Sequence, residues 1–250
     1  MSRKPLQIVL AIVLLVAAGF LVFRFFPGEG ATSRRHALAR RALAMHILAE
    51  CLSTNKVCKQ VVVIANPFTQ KGGQATDIYA FNEAGIRGLR EGFSRNVELK
   101  AVEYPDLKPE WLKNPDAVFI DPQTTTPLSF IVAEEAWDQI VNRHAQADVL
   151  VSLIGLPARL DRLQFYKQWP QKKNPRLALL LPDLRFLGNR AAIVGAFKSG
   201  FLEAAIFNKP GAPAEGQSLL KDPIEDFNRS FLLVRPDNVE NILRQYPQLF

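Results

Sequence analysis

Histidine and cysteine are nearly absent, with three of the first and two of the second in 250 residues. His36 and His46 share one helical stretch and His144 stands alone, which leaves little material for a histidine metal centre or a catalytic triad. Two cysteines exclude a disulfide-rich scaffold. Cys51 and Cys58 stand open between one disulfide closing a short loop and two separate small hydrophobes. Signature motifs are missing as well: there is no HExxH, no GxSxG and no GxxxxGK[ST]. Ser53-Thr54-Asn55-Lys56 fits SxxK without its partner motifs, and the GxGxxS of residues 28–33 does not follow a strand. These absences point away from catalysis, a resident cofactor or a metal. No catalytic residue is assigned.

The folded part of the chain also lacks net charge. Residues 1–60 hold nine Lys or Arg against two acidic residues, a surplus equal to the +7 of the whole chain, whereas residues 61–250 hold 22 of each. A nucleic-acid binder carries its basic patch on the domain itself, so no nucleic-acid partner is expected. Arg34, Arg35, Arg40 and Arg41 instead follow an apolar run and are expected beside lipid headgroups, where each basic residue contributes about 1 kcal/mol.

That run, residues 6–26, is broken only by Arg24. Twenty-one helical residues span about 31 Å, enough to cross a bilayer core. It exceeds the h-region of a cleaved signal, Gly28-Glu29-Gly30 is a poor cleavage site, and no lipobox cysteine follows. The expected organisation is a basic tail (1–5), a transmembrane anchor (6–26), a linker (27–32), a juxtamembrane helix (33–58) and one α/β domain (59–250). Counting positive charges alone would put the domain in the cytoplasm. The basic segment Arg3-Lys4 ahead of a first apolar stretch reads as an export signal, and the domain is expected on the extracytoplasmic side.

Past residue 58, short apolar runs alternate with amphipathic segments, the pattern of a parallel sheet with crossover helices. Strands are expected at 61–65 (VVVIA), 97–102, 117–120 (AVFI), 149–154, 177–181 and 202–207, with a late edge strand at 231–234. Helices are expected at 33–52, 74–93, 127–144, 159–168, 189–199 and 238–245, with Gly200 ending the fifth. The fold class is α/β, a doubly wound, mostly parallel sheet of about five to seven strands with helices on both faces.

VVVIANPF at 61–68, GIRGLREGF at 85–93 and VELKAVEY at 97–104, in this order of elements, resemble one lobe of a type I periplasmic binding protein, a flavodoxin-like doubly wound sheet. The resemblance covers residues 60–208. The family carries two such lobes with the ligand clamped between them, which implies a ligand-binding role.

In an open α/β sheet, ligands bind beyond the carboxyl ends of the strands. That rule selects Asn66, Thr69, Gln70, Lys71, Gly72, Gly73 and Gln74 after the first strand. Here Lys71 and the two glycines precede a helix N-terminus suited to an anion. It also selects Asp121 and Thr124 after the third strand, Gly155 after the fourth and Asp183 after the fifth. Glu134, Glu135 and Asp138 read as a solvated helix face, and Lys172-Lys173 as a polar loop. The expected function is a membrane-anchored, non-catalytic domain binding a small polar or anionic ligand, or a partner protein of the cell envelope. Two other readings stand beside it. One is an enzyme with Lys71 as clamp and Asp121 or Asp183 as acid–base. The other is an assembly scaffold on a degenerate binding-protein fold.

Overall fold

The computed structural model describes residues 29–55, 58–169 and 174–249. The expected span at 6–26, its flanking Arg3, Lys4 and Arg24, and the pair Lys172-Lys173 lie outside them. Among the described residues no helix is long and apolar enough to cross a membrane.

Helix α1 (Glu29–Thr54) leads into strand β1 (Gln60–Ile64), helix α2 (Thr76–Gly92) and strand β2 (Glu98–Glu103). Three short helices follow, α3 (Pro109–Lys113), α4 (Leu128–Ile131) and α5 (Glu134–Arg143), before strand β3 (Val149–Ser152). Then come α6 (Gln164–Lys167), β4 (Arg176–Leu180), α7 (Arg190–Lys198), β5 (Leu202–Asn208), α8 (Pro223–Ser230), β6 (Phe231–Val234) and α9 (Val239–Gln245). The six strands form one sheet in the order β2-β1-β3-β4-β5-β6, parallel throughout except for antiparallel β6. Chain direction across the sheet reverses between β1 and β3, which makes that gap the topological switch point.

Side-chain alternation explains why the central strands are continuously apolar. In β1, Val62 and Ile64 enter one core while Val61 and Val63 enter the other. In β4, Leu177 and Leu179 divide from Ala178 and Leu180 in the same way. Successive residues point to opposite faces, so a strand covered on both sides has no polar position. One face is roofed by α1, α2 and Phe227 of α8, the other by α5, α7 and α9.

α1 is therefore a core helix. Ala44, Met45, Leu48, Ala49 and Leu52 are fully buried beneath the sheet. The linker expected at 27–32 is helical from Glu29 on. Of the arginines expected at the headgroups, Arg40 is used inside the domain, 2% exposed and bonded to Asp226. Arg34 and Arg35 are exposed on α1, Arg34 pairing with Asp77 of α2 at 2.5 Å. α1 and α2 cross closely over Gly88 and Gly92, where a Cβ would lie 2.1 Å from Ala42 O and 2.4 Å from His46 O.

Two expectations need correction. Residues 117–120 are not a strand. Asn114 caps a 3-10 turn at Pro115–Ala117 and Phe119 is 78% exposed. With prolines at 115 and 122, the short apolar run has no ladder to join. The single helix expected at 127–144 is two, α4 and α5, because Val132 and Ala133 are extended, with Ala133 N donating to Asp106 O and Ile131 O accepting from Lys108 N. Cys51 and Cys58 are both free thiols. Cys58 sits in the core under the sheet, where burial pushes its thiol up to about 11, while Cys51 lies on α1 near Arg235. A helix at 223–230 was not expected, although Asp222-Pro223-Ile224-Glu225 is a good start signal, with Asp222 accepting from the Ile224 and Glu225 amides.

Gly200 does end α7, with φ +79°. Inside α7, Gly195 is exposed and a Cβ there meets nothing within 4 Å. Gly195→Ala should stabilise the protein by about 0.5–1 kcal/mol, read as a rise in urea midpoint at unchanged slope.

Candidate functional site

The loop after β1 is held mostly by its own backbone. Asn66 Oδ1 accepts from Phe68 N at 3.0 Å, Thr69 Oγ1 donates to Asn66 O at 2.7 Å, and Tyr79 Oη donates to Lys71 O. Gly72 and Gly73 are exposed, Gly73 turns at φ +79°, and Gln74 and Ala75 separate them from the start of α2. Gln70 and Lys71 line a cavity of about 440 Å³ with Tyr104, Asp106, Glu135 and Gln139.

Asp121 and Thr124 meet Asp183, 59 residues beyond Thr124 in sequence, past the ends of β3 and β4. Asp183 follows β4, is 6% exposed and caps the turn Leu184–Leu187 by accepting from Arg185 N at 3.1 Å. Its carboxylate also receives Arg185 Nε at 2.9 Å, Arg185 Nη2 at 2.6 Å and Thr124 Oγ1 at 3.0 Å. Burial pushes the Asp183 carboxyl up, but the Arg185 and Thr124 hydrogen bonds outweigh it and hold it below the usual carboxylate range. Arg185 Nη2 also reaches Asp121 Oδ2 at 3.3 Å, while Asp121 Oδ1 caps the following turn at Gln123 N. Arg185 thus bridges two carboxylates, and the sequence reading missed it. Phe130 stacks edge-on against Phe186, 5.5 Å between ring centres, and holds the turn that carries it.

A hydroxyl chain continues inward from Thr124 to Thr126 and from Ser129 to Thr126 at 3.0 Å. Gly155 closes its far side. At φ +82° its missing Cβ leaves room for the Thr126 methyl, which would otherwise lie 2.6 Å away. Gly155 is thus a packing position in this structure, touching Thr126 rather than open space.

Leu181 is the one described non-glycine residue with positive φ, at +47°. A leucine held there stores backbone strain, and such strain gathers at functional sites. Leu181, Pro182 and Phe207 supply apolar walls to a cavity of about 600 Å³ beyond β4 and β5. Asp183, Arg185, Glu215, Gln123, Thr125, Asn208 and Gln248 supply its polar groups. Its volume falls within the range of small-molecule sites, about 300–1,000 Å³. Lys71 lines the first cavity and Asp183 the second, so the clamp and carboxylate of the enzyme reading do not face one cleft. Among the described residues no group of His, Cys, Asp or Glu is arranged to hold a metal ion.

No protein-family model and no curated protein matches the chain. Solved structures do. An ABC transporter periplasmic solute binding protein from Actinobacillus succinogenes, with bound D-allose, matches at 10% identity and TM-score 0.44, over 81% of this chain and 62% of its own. A periplasmic ribose ABC transporter protein from Conexibacter woesei matches at 12% and 0.44, over 82% and 60%. The Caulobacter myo-inositol binding protein matches at 13% and 0.44, over 81% and 60%. The chain spans 60 to 62% of the length of these three periplasmic proteins.

Proposed function

We propose that this chain is a membrane-tethered binding domain that takes a small polar molecule in the cavity beyond β4 and β5. The observation that carries the reading is the convergence of Asp121 and Asp183 on Arg185 at the wall of that cavity, with Thr124 bonded to Asp183. Asp183 has its acceptor positions filled by Arg185 and Thr124, so its role is to fix the guanidinium. Arg185 and the amides of Gln123, Asn208 and Gln248 then face the ligand. Neutral hydrogen-bonding groups on apolar walls suit a polyhydroxylated carbon chain better than a flat aromatic. The loop after β1, with Gln70 and Lys71, stands as a secondary contact surface on the neighbouring cavity.

Residues 6–26 act as the tether, with the domain on the extracytoplasmic side. A C-terminal reporter active only outside the cytoplasm should light up, and a silent one overturns that side. For the cavity, the full chain is titrated with alditols and aldonates of four to six carbons. At least one should raise Tm, and Arg185→Ala should abolish the rise. A panel that leaves Tm unchanged, or an Arg185→Ala protein that responds like the parent, removes the proposal.

A further inference from the structure

Arg41 has none of the partners that its neighbour Arg40 has. Arg40 spends its donors on Asp226 Oδ2 at 3.4 Å and on the carbonyls of Ala214, Glu215 and Gln217 at 3.2, 2.6 and 3.2 Å. The Nε of Arg41 is enclosed and has no hydrogen-bond partner among the described residues. Its guanidinium lies over the Phe81 ring, 5.9 Å from the centroid, a contact that satisfies charge but no donor. Glu215 is the opposing charge that acts on it, yet no hydrogen bond joins the two. Burial pulls the Arg41 guanidinium down to about 10, and the Glu215 charge offsets part of that.

Buried charges in folded proteins are paired. Here the missing partner has a place. Arg41 lines a small cavity of about 30 Å³ at the end of β4, walled by Leu181 and Glu215. The same two residues wall the 600 Å³ cavity next to it. Leu181 and Glu215 are common to both cavities, so the acidic end of a ligand in the larger one reaches Arg41 at that shared wall by displacing the exposed Glu215 side chain, and the guanidinium receives it through two parallel hydrogen bonds.

We propose that Arg41 is the anion anchor of the strand-end site, receiving the carboxylate of a small polyhydroxylated acid whose neutral body occupies the adjoining cavity. The proposal rests on the reading of that cavity as the ligand site and names the class of ligand.

The test uses the full chain, matched C4–C6 aldonates and alditols, and the variant Arg41→Met, in a buffer free of chloride and carboxylate. The parent should bind an aldonate about tenfold or more tightly than the alditol of the same length, as a charge-assisted hydrogen bond predicts. Arg41→Met should bind both alike while keeping the stem against Phe81. Equal binding of aldonate and alditol by the parent overturns the role of Arg41 and leaves the cavity reading intact. An Arg41→Met protein that keeps the preference also overturns it. Failure of every probe on the parent defeats the cavity reading itself.

Discussion

Gly88→Ala should destabilise the domain by about 3 kcal/mol, the upper end of what an overpacked interior site imposes. A Cβ at Gly88 would sit 2.1 Å from the carbonyl oxygen of Ala42 and within 3.0 Å of two further backbone atoms of that residue. Backbone cannot rotate away as a side chain can, so α1 and α2 must separate. Their separation would open the apolar layer in which Met45 and Leu48 meet Ile86 and Leu89. For a chain of this size the loss lowers Tm by roughly 6–12 °C. Gly195→Ala is the control, since it adds the same methyl group to a helix in open space. If the Gly88 variant melts with the parent, the close crossing of the two helices is wrong.

The second large effect comes from the ion pair between α1 and α8. Arg40 and Asp226 are both buried, at 2% and 0% exposure, and Asp226 also accepts from Leu220 N at 3.0 Å and Arg229 at 2.8 Å. Asp226→Asn should lower stability by about 3–5 kcal/mol, because it leaves the Arg40 charge buried without its counter-ion. The loop at residues 214–217, held by Arg40, should loosen with it and gain hydrogen exchange. Acid should act in the same direction on the parent. Burial pushes the Asp226 carboxyl up, but the Leu220 amide and then Arg40 and Arg229 outweigh it, so it titrates below the usual carboxylate range. With the folded value under the unfolded one, near 3.9, its contribution is complete at neutral pH. It is lost as the pH falls from about 4 through the lower folded value. A parent and an Asp226→Asn protein of equal Tm at pH 7 would contradict this.

The sheet was legible because burial on both faces writes itself as unbroken β-branched and leucine runs, as at Val61–Ile64 and Leu177–Leu180. The run at 117–120 looked the same over four residues but lacked a neighbouring strand, which periodicity cannot reveal. Helix α8 carried a legible cap at Asp222-Pro223 that was overlooked. Of the candidate residues, Asp121, Thr124 and Asp183 were findable because strand ends are where polar groups in this fold escape burial. Arg185 was not, since an arginine two positions after an aspartate carries no pattern of its own. Arg40 and Arg41 of α1 were misplaced for a plainer reason. Proximity to an apolar segment in sequence was read as proximity to lipid, whereas α1 turns Arg40 and Arg41 toward α8, Phe81 and the end of β4.

Hydrogen exchange on the full chain, with and without the tightest aldonate of the panel, tests the ligand site most directly. The account predicts protection at residues 181–187 and 207–217, which wall the cavity beyond β4 and β5, with little change at residues 66–74. Protection centred on residues 66–74, or none at 181–187 under saturating ligand, would contradict it.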